Sequence, residues 1–78
     1  MQSTSINLTP TYQQVTTQSA FIIQNVNDAL VEVVFKDTAP SETDKGIIIK
    51  HTDIIPSTLV TGIAYARSAS NGTIVVVE

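Results

Sequence analysis

The residues best suited to chemistry in this chain are His51 and Asp53, which stand two positions apart. On a continuous strand their side chains project to the same face, where an imidazole and a carboxylate can share a metal ion or a proton. A stable transition-metal site usually needs three or four ligands, and this sequence has one His and no Cys. We therefore interpret both as structural or surface residues, and we expect no metal and no cofactor.

Nucleophilic catalysis needs more than the many Ser and Thr hydroxyls of this sequence. The hydroxyl requires a base within hydrogen-bond reach and a third group that orients this base, so a single His allows one such site at most. No Ser lies in the nucleophile motif of hydrolases, and the three Gly residues stand too far apart for a phosphate-binding loop. The sequence therefore predicts that the protein is not an enzyme.

The composition indicates which elements position these residues. Thirty of the 78 residues are β-branched, namely nine Val, ten Ile and eleven Thr. Such side chains pack well on a pleated sheet but lose rotamer freedom in a helix. Their short runs, separated by turn residues, predict an all-β fold, a small antiparallel β-sandwich or barrel of about seven short strands. We expect one domain over residues 1–78, in which residues 1–18 form either the first strands or an extended N-terminal arm.

Two turn signals predict hairpins. An Asn-Asp pair at 27–28 joins the runs 20–26 and 29–36, and an Asn-Gly pair at 71–72 lies between the last two runs. Both pairs tolerate the positive φ of tight turns, so each predicts pairing between the runs on either side of it.

The remaining runs differ in their expected exposure. Residues 5–9 stop at Pro10 and predict an edge strand, and Pro56 indicates a corner or an edge. The apolar run Ile47–Ile49 predicts a central strand, whereas residues 37–45 are polar and predict an exposed loop.

Apolar residues on both faces of two runs suggest an interface between subunits. A chain of this length buries only about 60% of its unfolded surface, and without disulfides oligomerisation is the remaining source of stability. Tyr12 follows Pro10 in a polar segment and either anchors this segment on a neighbouring subunit or caps the edge of the core. The candidate interface residues are Tyr12, Ile47, Ile48, Ile49, Ile74 and Val76. In the last run the outward positions are either Ile74 and Val76 or Val75.

The distribution of charges and the length of the apolar runs exclude two classes of partner. Seven acidic and four basic residues give a net charge of −3, and the cations are scattered along the chain. Nucleic-acid binding draws on clustered Lys and Arg, and a membrane-spanning helix needs about 20 apolar residues. We expect neither a nucleic acid nor a membrane as a partner.

Several segments resemble small, Cys-free, all-β virion proteins of tailed bacteriophages. The resemblance covers Leu8-Thr9-Pro10-Thr11-Tyr12-Gln13-Gln14-Val15, Phe21-Ile22-Ile23-Gln24-Asn25, Val33-Val34-Phe35 with Asp37-Thr38-Ala39-Pro40, and Gly62-Ile63-Ala64-Tyr65-Ala66-Arg67-Ser68 before Gly72-Thr73-Ile74-Val75-Val76-Val77. It implies a virion location and a structural role as a head decoration protein. Such a protein associates with itself, often as a trimer, and binds the major capsid protein or another virion protein.

The alternative is a binding module at a fibre tip or on a surface that meets the host. The loops 37–45 and 68–72 would then recognise a glycan or a protein, with Tyr12 or Tyr65 stacking on a sugar.

Overall fold

The computed structural model describes residues 2–78, which form eight short strands and one 3₁₀ turn. The strands are β1 (Ser3–Asn7), β2 (Gln13–Gln14), β3 (Ile22–Asn25), β4 (Val31–Lys36), β5 (Ile47–Ile49), β6 (Ile54–Pro56), β7 (Ile63–Arg67) and β8 (Thr73–Val77), and the 3₁₀ turn is Ser57–Leu59. The all-β prediction is confirmed, since the two sheets form a small β-sandwich. In the described part of the chain no helix is long and apolar enough to cross a membrane.

The eight strands form two antiparallel sheets of four. Sheet A has the order β1-β8-β3-β6, and sheet B has the order β2-β7-β4-β5. β1 and β6 are edge strands, as their proline signals predict. β5 is also an edge strand, so the prediction of a central strand at Ile47–Ile49 is wrong. Only Ile49 of this apolar run is buried, and Ile47 and Ile48 remain exposed at the edge.

The N-terminal segment belongs to both sheets. β1 pairs with β8, and β2 pairs with β7. Leu8 and Val15 are buried in the core between the sheets. Over residues 2–18 the structure therefore has the first strands and not an extended arm, because the apolar side chains of this segment complete the core of the same subunit.

Neither predicted hairpin forms, because both turns carry the chain from one sheet to the other. β3 lies in sheet A and β4 in sheet B, and β7 lies in sheet B and β8 in sheet A. At the first crossing the buried amide of Asn25 donates to the carbonyl oxygens of Ala29, at 2.8 Å, and Ile49, at 3.0 Å. These bonds connect β3 to the opposite sheet, so the Asn residues build a corner instead of a hairpin turn.

The second crossing is held by Ser68. Its hydroxyl donates to the carbonyl oxygen of Leu30 at 2.9 Å and accepts from the amide of Gly72 at 2.8 Å. Asn71 adopts a φ of 55°, which Asn tolerates better than most residues. The Asn-Gly pair therefore forms the expected tight bend, but the bend leads into the other sheet.

The core follows the alternation of side chains along the strands. Val31 and Val33 are fully buried and Phe35 packs against the core, as predicted for this face of β4. From sheet A the core receives Ile23, Ile55, Ile74 and Val76, which point inward.

Candidate docking surface

The surface of sheet A that faces away from the core is made of two cross-strand rows, and we call it the A face. One row is Ser3, Val77, Ile22 and Pro56, and the other is Ser5, Val75, Gln24 and Ile54; Asn7 and Thr73 lie at its end. These positions alternate with the core residues of the same strands. The outward positions of sheet A therefore form one continuous surface, just as the inward positions form the core face behind it.

The A face carries no charged side chain. None of the strands β1, β3, β6 and β8 contains Asp, Glu, Lys or Arg. The strands of sheet B carry Glu32, Lys36 and Arg67. Depletion of charge together with apolar side chains distinguishes the centre of a protein interface from ordinary surface. In sequence, the charged residues next to these strands are Asp53, which precedes β6, and Glu78, which follows β8.

Large apolar side chains are exposed on the A face. Ile22 is 42% exposed and Ile54 is 55% exposed, and Val75 and Val77 on the neighbouring strand β8 are partly exposed. Ile22, Pro56 and Val77 continue into a shallow groove at one end of the face, next to Ala20 and Phe21. Contiguous apolar surface of this kind marks interaction sites in small proteins.

The outer face of sheet B is different, because the chain covers it with its own loop. Val34 and Tyr65 face each other across β4 and β7 on this side and are both buried, although they lie outside the core between the sheets. Gly46, at the end of the loop, lies so close that an added Cβ would overlap the carbonyl oxygen of Val33 and the side chain of Val34. The loop thus covers part of the outer face of sheet B.

Tyr12 and Arg67 hold this loop in place. The Arg67 guanidinium lies 4.1 Å from the centre of the Tyr12 ring, a cation–π arrangement. The Tyr12 hydroxyl donates to the Asp44 carbonyl at 2.8 Å, and Arg67 donates to the Glu42 carbonyl at 2.8 Å. Tyr12 therefore anchors a loop of its own subunit, and its contact with a neighbouring subunit stays a prediction.

Glu32 completes the cluster beneath the loop. Its carboxylate accepts from Arg67 Nε at 2.7 Å and from the Gly46 amide at 2.8 Å. The Gly46 amide and Arg67 lower the pKa of Glu32, and burial together with the Glu32 charge raises the pKa of Tyr12. Beside it, the Lys36 ammonium at 2.9 Å and the Ser41 amide lower the pKa of Asp44. These groups form a structural network, since each one is already bonded within the subunit.

Comparison with models of known protein families, with curated proteins and with solved structures finds no match.

The apolar residues predicted at the interface differ in exposure. Those in β5 include exposed and buried side chains, and those in β8 are all buried. Ile47 and Ile48 are about half exposed, at 49% and 51%, because β5 is an edge strand. Ile49, Ile74 and Val76 are buried in the core, so the assignment of these three to an interface is corrected. The reason is register: in β8 the odd positions, not the even ones, face outward.

His51 and Asp53 do not share one face of a strand. A turn separates them, in which the Asp53 carboxylate accepts from the Lys50 amide at 2.8 Å and Thr52 adopts a φ of 73°. His51 Nδ1 instead lies 3.3 Å from a carboxylate oxygen of Asp28, with both side chains exposed. Among residues 2–78 no group of three metal-ligating side chains occurs.

Sequence reasoning missed most of the A face. Ile22, Ile54 and Val77 were not predicted, although they alternate with apolar residues of the core, and Val75 was only one of two alternatives. The signal that identifies them is the absence of charge from four separate strands. The absence of charge indicates an uncharged face only when the four strands are known to lie in one sheet, and the sequence does not reveal this.

Proposed function

We propose that this protein is a structural virion protein of a tailed bacteriophage, a head decoration protein that associates with copies of itself and binds a larger shell protein. The proposal rests on the uncharged, apolar A face together with the resemblance of the chain to small all-β virion proteins. No reaction is assigned, and the A face is the docking surface.

The contrast between the two sheets supports this role for the A face. Sheet B hides the apolar side chains Val34 and Tyr65 beneath the loop 37–46, which Arg67 and Tyr12 hold in place. On sheet A, Ile22 and Ile54 stay exposed. Sheet B also exposes Ile48, opposite Glu32 on its outer face, but that face carries Glu32, Lys36 and Arg67, whereas the A face carries no charge. An outer face that combines exposed apolar side chains with the absence of charge is suited to binding a second molecule.

The loop-based alternative receives less support from the same contacts. Tyr65 is buried and cannot stack on a sugar, and the Arg67 guanidinium occupies one side of the Tyr12 ring, which leaves only the other side for stacking. The loop 37–45 is bonded to sheet B through Asp44 and Glu42. A recognition loop that changes shape for its ligand would have to break these bonds.

The test of the proposal is the composition of purified particles. Cells that carry the gene in its native genome are induced, the phage particles are banded on a density gradient, and the chain is quantified by mass spectrometry against the major shell protein. We expect a fixed ratio of the two proteins in intact heads. Particles without the chain, or the chain in the tail or fibre fraction only, would rule out head decoration.

A further inference from the structure

β1 has an open edge whose backbone groups can be assigned from its pairing with β8. Gln2 and Glu78 exchange both of their backbone hydrogen bonds, at 2.7 and 2.9 Å, and the Leu8 amide donates to Gly72. In an antiparallel ladder such pairs recur at every second residue, so the even positions of β1 bond to β8. The N–H and C=O groups of Ser3, Ser5 and Asn7 therefore point away from the sheet.

The other three edges of the sandwich each carry a feature that discourages pairing with another strand. β6 contains Pro56, β5 is flanked by Lys45 and Lys50, and β2 is two residues long. Prolines, lysines and short length are the usual means by which native proteins protect sheet edges. β1 has five residues and contains neither a Pro nor a charge. It is the unprotected edge.

We propose that two copies of this chain pair antiparallel through β1, with Ser5 opposite Ser5 of the second copy and Ser3 opposite its Asn7. In this register the three outward N–H groups of each strand meet outward carbonyls of the other. No like charges meet, because β1 is uncharged. The two copies of sheet A become one eight-stranded sheet with two-fold symmetry.

The pairing also brings the area of the A face closer to the area that docking requires, and in this respect the inference rests on the proposed function. Strand spacing and rise give one A face an area of roughly 300 Å². A stable interface usually buries about 800 Å² on each partner. Joining two A faces side by side through β1 gives about 600 Å² of continuous surface, much closer to this requirement. The occupant of the β1 edge is therefore a second copy, and the larger protein binds across both.

Sedimentation and amide exchange of the purified chain test the pairing. We expect a species of twice the 8.4 kDa subunit mass at high concentration. Between micromolar and millimolar protein, the amides of Ser3, Ser5 and Asn7 should exchange at least about tenfold more slowly, while those of Thr4 and Ile6 stay protected throughout. A monomer at all concentrations, a trimer, or a dimer with the outward amides unprotected would overturn the proposal.

Two variants of Ser5 sharpen this test. Ser5→Pro removes an N–H that faces the open edge and leaves the bonds to β8 intact, and Ser5→Lys places two like charges at the symmetry axis. Both should sediment as monomers, whereas Thr38→Lys, which places a Lys in the exposed loop, should sediment as the wild type does. Dimers of the folded Ser5→Lys variant would refute the pairing.

The failure of the pairing and the failure of the proposed function give different results. A monomeric wild type that is present in phage heads refutes the pairing alone. A dimer with the expected exchange pattern that is absent from phage heads refutes the virion role alone.

Discussion

Val75 and Val76 are adjacent in β8, and sheet A separates them completely: Val76 is fully buried in the core, whereas Val75 lies on the A face between Ser5 and Gln24. One residue of register decides which of the two is structural and which is available to a partner. The triplet Val75–Val77 therefore contains both kinds of site.

This relationship predicts opposite outcomes for two neighbouring substitutions. Val76→Lys buries an unpaired charge and should lower the free energy of unfolding by at least about 3 kcal/mol. Val75→Lys leaves the charge in solvent and should change it by less than about 1 kcal/mol. Urea denaturation followed by circular dichroism measures both. Equal losses of stability would mean that the assigned register of β8 is wrong.

Gly46 should tolerate no side chain, because it lies against β4. An added Cβ would overlap the backbone carbonyl of Val33, which cannot move without disturbing the ladder between β4 and β5. We expect Gly46→Ala to lower the free energy of unfolding by about 2 kcal/mol or more. Lys45→Ala is the control, since Lys45 is exposed, and it should have little effect in the same denaturation experiment.

Thr52 is a strained position that substitution should relieve. Its φ of 73° lies in the left-handed region, which is unfavourable for a β-branched residue. Thr52→Gly should therefore raise the free energy of unfolding by about 1 kcal/mol. Thr58→Gly, at an exposed position without a positive φ, should lower it instead. A loss of stability in both variants would show that the turn at Thr52 is not strained.

Acid should weaken the contact between the loop and sheet B. The pKa of Glu32 is lowered by the Gly46 amide and by Arg67, and that of Asp44 by Lys36 and the Ser41 amide. Since both folded pKa values lie below the unfolded ones, the stabilisation is complete above the unfolded values of 4.5 for Glu and 3.8 for Asp and is lost as the pH falls through the folded values.

Urea midpoints measured from pH 7 down to pH 3 test this sign. The wild type should lose stability with acid, and Glu32→Gln should be less stable at pH 7 but show a shallower acid dependence. Glu42→Gln is the matched control, because among the described residues the Glu42 carboxylate forms no ion pair. An acid dependence that Glu32→Gln leaves unchanged would assign it to other groups.

The sequence was sufficient to predict strands but not their neighbours. Alternation in Val31, Val33 and Phe35 correctly predicted a core face, because burial imposes a period of two on any strand. The Asn-Asp and Asn-Gly pairs predicted hairpins and instead form crossings between sheets. A tight bend is compatible with both, and the choice depends on distant partners such as the carbonyls that Asn25 and Ser68 bind.

The docking surface was harder to predict for the same reason. The sequence allows either Ile74 and Val76 or Val75 to face outward, because an apolar run does not specify which of its positions faces the core. The pairing of β8 with β1 and β3 resolves this, and both contacts lie far away in sequence. Only the assembled sheet shows that the uncharged strands are neighbours.

The most direct measurement of the role of the A face is binding of the purified chain to phage heads that lack it, obtained by deleting the gene. Ile54 lies on the A face and Leu30 precedes β4 outside sheet A, and because each is 55% exposed, Lys at either position is compatible with the fold. We predict that Ile54→Lys weakens co-sedimentation with the heads at least about tenfold, while Leu30→Lys binds like the wild type. Wild-type binding by a folded Ile54→Lys variant would contradict the assignment of the A face as the docking surface.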